Sequence, residues 1–139
     1  MKTRLLFALL FLTNIIFAQS YVSFAEEMPV FSGCESIIDS RQKCECTKAQ
    51  FANYIETKLS SLSSSNTEIV VNIGIIIDGR GLPTNLKVLD SDSLDDETKG
   101  KIIESINFYD DGIRFEPGRN GGRVVNVQMI IPVRVFTSL

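Results

Sequence analysis

The apolar residues of this chain change spacing several times, and each spacing predicts a different element. Leu5 to Phe17 is an apolar run softened only by Thr13 and Asn14. Residues 19–47 show no period; Pro29, Gly33, scattered charges and a cysteine cluster make an irregular lead-in. The pattern then sharpens. Thr47-Lys48-Ala49-Gln50 has the form of a helix capping box. Phe51, Tyr54, Ile55, Leu59 and Leu62 follow at spacings of three and four, which predicts one apolar face of a helix over about Lys48 to Ser61. Ser60 to Asn66 is almost all Ser and predicts a flexible connection.

From Glu68 to Asp78 the period switches to two. Ile69, Val71, Ile73, Ile75 and Ile77 share one face, and Glu68, Val70, Asn72, Gly74 and Ile76 the other, a strand with a fully apolar side. Asp78-Gly79-Arg80-Gly81-Leu82-Pro83 is turn chemistry, with two glycines free to take positive φ. A second strand over about Asn85 to Asp90, with Leu86 and Val88 inward, completes an antiparallel hairpin. Ser93 is read as the cap of a second helix. Asp95, Asp96 and Glu97 crowd its first turn, where the helix dipole favours them. Leu94, Ile102, Ile103, Ile106 and Tyr109 form its expected buried stripe, and Asp110-Asp111-Gly112 ends it. After a turn-rich loop at 115–122, Val125, Val127, Met129, Ile131, Val133 and Val135 alternate with wetter positions in one long final strand. Pro132 has no N–H to give a ladder, so one side of that strand must be unpaired there.

The order helix, strand, strand, helix, strand predicts an α+β fold: a two-layer sandwich with a three-stranded antiparallel sheet and two helices on one face. Gly79-x-Gly81 belongs to a hairpin turn and no helix follows it at once, so it is not a phosphate cradle.

Composition narrows the chemistry. The chain has 139 residues, 44% hydrophobic and 22% charged, with no His and no Trp. Without His, the usual neutral-pH general base and every Ser–His or Cys–His pair are missing, so a binding protein is expected rather than an enzyme, with no cofactor and no small-molecule substrate. Lys2 and Arg4, the apolar run and the small residues Ala18, Ser23 and Ala25 have the order of a secretory signal. Cleavage after Ala18 or after Ala25 is expected, giving residues 1–18 (alternatively 1–25) as signal peptide, 19–47 as lead-in and 48–139 as the folded domain. Loss of Lys2 and Arg4 takes the net charge from −3 to −5. An acidic surface of this kind disfavours nucleic acid.

Cys34, Cys44 and Cys46 all follow the signal, as an oxidising compartment would favour. Cys44 and Cys46 are poorly placed to bridge each other. Cys34 with either of them closes a loop of about ten residues, stabilising by ~2–3 kcal/mol. A metal site built from the three cysteines with Glu35 or Glu45 is the alternative, although it lacks the paired C-x-x-C spacing of structural zinc sites.

Several motifs then occur in order. Pro29-Val30-Phe31-x-Gly33-Cys34-Glu35 is followed by Lys43-Cys44; next come Val70-x-x-x-x-Ile75-x-Ile77-Asp78-x-x-Gly81 and Leu86-x-Val88. The most specific is Phe115-x-Pro117-Gly118-x-x-x-Gly122-x-Val124, which ends in Ile131-Pro132-Val133-x-Val135-Phe136. Over residues 28–136 the chain resembles the C-terminal domain of the TonB family of energy transducers. It departs from that family in lacking a Pro-rich spacer. A Ser-rich stretch stands where a Tyr-Pro segment normally follows the first helix, and Arg123 occupies the position before the family's Pro.

The resemblance implies a periplasmic protein-binding module that grips an extended peptide of an outer-membrane receptor or another envelope protein. The peptide adds to the edge of the final strand. Transferred residue by residue, the partner-binding positions are Val124, Val125, Asn126, Val127, Gln128, Met129 and Ile130. The resemblance also implies a Cys34–Cys44 disulfide with Cys46 left over, and an exposed strand or odd cysteine permits a homodimer. The alternatives are a transducer anchored in the inner membrane by residues 5–25, and a thiol or metal protein using the cysteines.

Overall fold

The computed structural model describes residues 20–60, 67–89 and 94–137. In chain order these residues form β1 (Val30–Phe31), α1 (Ser40–Ser60), β2 (Thr67–Ile77), β3 (Pro83–Val88) and α2 (Asp96–Ser105). β4 (Phe115–Glu116), β5 (Gly118–Asn120), β6 (Arg123–Val125) and β7 (Val127–Thr137) follow. The fold is α+β, as expected. β2 lies at the centre of a three-stranded antiparallel sheet of order β3-β2-β7, and Phe51, Ile55 and Leu59 of α1 and Ile102 of α2 share one core with its apolar face.

The period of two holds through β7 and the first half of β2, whereas every residue from Ile73 to Ile77 is buried, Gly74 and Ile76 of the expected outer face included. Val71, Ile73, Ile75 and Ile77 of β2 and Val127, Met129, Ile131, Val133 and Val135 of β7 are buried. β2 and β7 pair over their full lengths, from Thr67 opposite Thr137 to Ile77 opposite Val127. A cluster of rings closes the α1 end: Phe51 meets Phe31 and Phe115 edge-on, at 5.7 and 5.1 Å between centroids.

The first helix is a correction. It begins at Ser40, not Lys48, so residues 40–47 belong to the helix and not to an irregular lead-in. Asp39, just ahead of the first turn, caps it: its Oδ1 accepts the N–H of Gln42 at 2.8 Å. The extra turns have no apolar stripe to announce them. They are held by that cap, by the exposed Arg41–Glu45 pair and by a disulfide at Cys46. Thr47 is therefore mid-helix and fully buried, and its hydroxyl accepts the N–H of Phe31 at 3.1 Å. Leu62 and the Ser-rich stretch 61–66 lie outside the described residues, as do Asp90 and Ser93; the second strand runs from Pro83 to Val88, not from Asn85 to Asp90, and the cap of the second helix is Asp95, not Ser93.

The second helix is capped by Asp95, whose Oδ1 accepts the Thr98 N–H at 2.7 Å. Hydrogen bonds from Thr98 hold the Asp95 carboxyl below its usual range. Ile102 and Ile106 are buried as expected, but Ile103 and Tyr109 face solvent, and the half-buried Phe108 packs on the core. In the 78–83 turn only Gly81 takes positive φ, +79°. The supposed loop 115–122 holds β4 and β5. β5 turns into β6 through Gly121 and Gly122, both at positive φ, as a two-residue hairpin demands. The single final strand breaks at Asn126 into β6 and β7. The Asn126 side chain accepts the Gly79 N–H at 3.0 Å and donates to the Ser20 carbonyl at 3.1 Å.

Candidate docking edge

β7 is an edge strand, and its outer rim is where a partner strand would add. In an antiparallel pair successive residues turn their N–H and C=O alternately toward and away from the neighbour. The outward set is marked by Gln128, which donates its N–H to the Val22 carbonyl at 2.8 Å, and by Asn126, whose carbonyl accepts from Val22 at 2.9 Å. Ile130, Pro132, Arg134 and Phe136 therefore share that rim.

The rim is unevenly occupied. At its start Val22 pairs with Val127 in a parallel bridge. At Pro132 there is no N–H to offer. At Arg134 the backbone N–H donates to Glu56 Oε1 at 3.0 Å, and the guanidinium donates to the same carboxylate at 3.1 and 3.3 Å. Partial burial pushes the Glu56 carboxyl up, but the Arg134 hydrogen bonds and charge outweigh it and hold it below its usual range. A charge placed on an edge in this way blunts it against indiscriminate pairing. Among the described residues no partner faces the Ile130 N–H or the Phe136 backbone. Their side chains are 49% and 42% exposed. Val70 and Leu89 lie exposed on the same outer face, with Leu89 packed over Gly74, opposite Ile130.

The seven residues singled out from the sequence are thus divided by the fold. Val127 and Met129 are buried in the core, and their backbone groups turn toward β2. Val124 and Ile130 are exposed, while Val125, Asn126 and Gln128 are half-buried. The Asn126–Gln128 rung is filled by Val22 of the same chain. The alternation of residues 127–135 carried the inside and outside of the strand; it held no signal for Val22 or Glu56, which arrive from distant parts of the chain.

The segment 20–31 runs as a strap across the sheet end. Glu27 exchanges two backbone hydrogen bonds with Arg119, at 3.0 and 2.8 Å. Val30 and Phe31 pair with Glu116 and Phe115, and Ala25 is buried in the core. Between the strap and the first turns of α1 lies an open groove of about 840 Å³, lined in part by Glu26, Glu27, Lys43, Cys44, Lys48 and Glu116. Phe24 and Ile38, 77% and 97% exposed, belong to its lining.

The disulfide joins Cys34 to Cys46, not to Cys44, with Cα atoms 5.9 Å apart. Cys44 and Cys46 are two positions apart on α1, so they point to different sides of the helix, and only Cys46 faces the buried Cys34. Cys44 remains a thiol in the groove. Because Cys34 and Cys46 are bonded to each other, the three-thiolate metal site has lost two of its ligands. No family model, no curated protein and no solved structure matches the chain. Among the described residues, no helix is long and apolar enough to cross a membrane.

Proposed function

We propose that this chain is an envelope protein-binding module, similar to the TonB C-terminal domain, that takes an extended peptide by strand addition on the rim of β7 from Ile130 to Phe136. One observation carries the reading. The rim of β7 already accepts an extended segment, Val22, through two backbone hydrogen bonds, and the same rim continues past it with exposed apolar side chains. Backbone bonding of that kind supplies affinity, and the flanking Ile130, Pro132 and Phe136 supply selectivity. The partner expected is an outer-membrane receptor or another envelope protein.

Export to the periplasm is part of the proposal, and the strap bears on where cleavage falls. Removing residues 1–25 takes Val22 from the rim and Ala25 from the core, whereas cleavage after Ala18 leaves both in place. By the same geometry, an anchor that runs through residues 20–25 competes with their places in the fold, which weighs against the 5–25 transducer.

The test pans the full chain against a random library of peptides of about twelve residues, long enough to span the rim at ~3.3 Å per residue. Enriched peptides are mapped by amide chemical shifts. The expected result is a footprint on Ile130–Phe136, and a drop in affinity of about tenfold in Ile130→Pro, which deletes an outward N–H without touching the β2 ladder. Peptides that map to the groove at Cys44, or that bind Ile130→Pro unchanged, overturn the reading.

A further inference from the structure

The strap changes character at Ala25. Downstream it is fastened repeatedly: Ala25 is buried, the Glu26 N–H donates to Asn120 Oδ1 at 2.8 Å, Glu27 bonds Arg119 twice, and Val30–Phe31 forms β1. Upstream, residues 20–24 are held among the described residues by the half-buried Val22, which packs on the edge of the core, and by three hydrogen bonds. All three end on Asn126 or Gln128: Val22 N–H to the Asn126 carbonyl, Gln128 N–H to the Val22 carbonyl, and Asn126 Nδ2 to the Ser20 carbonyl. Tyr21 and Phe24 in this stretch are exposed and add no core packing.

We infer that residues 20–24 are a displaceable stand-in strand. They fill the first rung of the β7 rim, at Asn126–Gln128, and a partner peptide that runs the full rim must lift them off. The inference rests on the docking reading above and adds its regulation. A single bridged residue contributes few backbone bonds, whereas a strand along Asn126–Phe136 adds contacts at each outward position that still has a free group. Displacement is therefore favourable for a long peptide, and a short one binds only beyond Gln128. The strap thus selects for length: it exacts a competition that only a partner reaching past Ile130 in both directions overcomes. Ala25 is the pivot, because the chain beyond it stays bonded to β5 whether or not residues 20–24 are seated.

The experiment uses the full chain with Val22→Pro, which removes the N–H given to Asn126, and with the double variant Tyr21→Gly, Val22→Gly, which loosens the same segment by backbone entropy should the proline disturb the fold. Amide exchange is read first. The Gln128 amide should exchange faster in both variants, while the Met129 and Ile131 amides, bonded into β2, stay protected. The twelve-residue peptides enriched on the parent chain are then titrated and should bind about threefold tighter or more, since the competing state is depopulated. Unchanged exchange at Gln128 overturns the inference, because the strap then does not hold that rung. Faster exchange with unchanged affinity also overturns it, while leaving the docking reading intact. Peptides that never map to Ile130–Phe136 remove the docking reading itself, and the inference falls with it.

Discussion

The carboxylate of Glu56, on α1, closes the backbone N–H of Arg134, on β7, at 3.0 Å while also gripping the same residue's guanidinium. One side chain thereby satisfies an edge donor and ties the helix layer to the rim of the sheet. Glu56→Ala should cost ~1–2 kcal/mol, an intermediate value because Arg134 is largely exposed. It should also raise self-association, since the Arg134 N–H on the rim is left open to pairing. Thermal melts and sedimentation check the two effects.

The same pair predicts a pH dependence. The folded Glu56 carboxyl lies below its ordinary value of 4.5, so its contribution is complete above that pH and is lost as pH falls through the folded value. Comparing melts at pH 7 and pH 3 should show a larger acid loss in the parent chain than in Glu56→Ala. Equal losses remove Glu56 from the account.

Two glycines are placed where a Cβ has no room. At Gly81 it would stand 1.9 Å from the Phe115 carbonyl, with φ already +79°. At Gly118 it would stand 2.6 Å from Val127 Cγ2. Gly81→Ala should destabilise by ~3 kcal/mol or more and Gly118→Ala by ~1–3 kcal/mol. Gly100, inside α2 with open space around it, should do the reverse: Gly100→Ala is expected to stabilise by ~1 kcal/mol. Denaturant midpoints rank the three.

Cysteine substitutions separate the bridge from the thiol. Cys34→Ser or Cys46→Ser should lose ~2–3 kcal/mol, as expected for a bond between residues 12 apart, whereas Cys44→Ser should change stability little. Thiol titration of the unfolded, unreduced parent should find one free group. A bridge through Cys44 would make Cys44→Ser the damaging variant.

Tyr54 donates its hydroxyl to Asp111, which also accepts from Lys58 at 2.8 Å. Burial first, then the Asp111 hydrogen bond and charge, push the Tyr54 phenol well above its ordinary 10.0. Its contribution is therefore full below that value and is lost as pH rises through the folded one. Ultraviolet titration should show one late tyrosine, and Asp111→Asn should bring it forward.

Much of this architecture was legible in the order of residues because it depends on periodicity. Strand alternation in 69–77 and 125–135 states which side chains are inward, and the spacing of Phe51, Ile55 and Leu59 states which face of α1 is buried. Pro132 marked the open side of the last strand, because a missing N–H is a local fact. The early turns of α1 escaped notice, since residues 40–46 carry no apolar face and are fastened by a cap, an exposed ion pair and a disulfide. Ile103 and Tyr109 lie outside the buried stripe for different reasons: Ile103 is one position round α2 from the buried Ile102 and faces outward, and Tyr109 follows the helix, which ends at Ser105 and not at Asp110–Gly112.

Local pattern by itself determined the sheet, its core face, the edge character of the last strand and the supply of cysteines for one bridge. Only tertiary structure decided which cysteine is bonded, because helix phase selects Cys46 over Cys44. It alone decided how much of the rim is free, because Val22 and Glu56 lie more than a hundred and more than seventy residues from their β7 partners. Contacts between such distant residues depend on how the whole chain packs, and no periodicity within either segment records them.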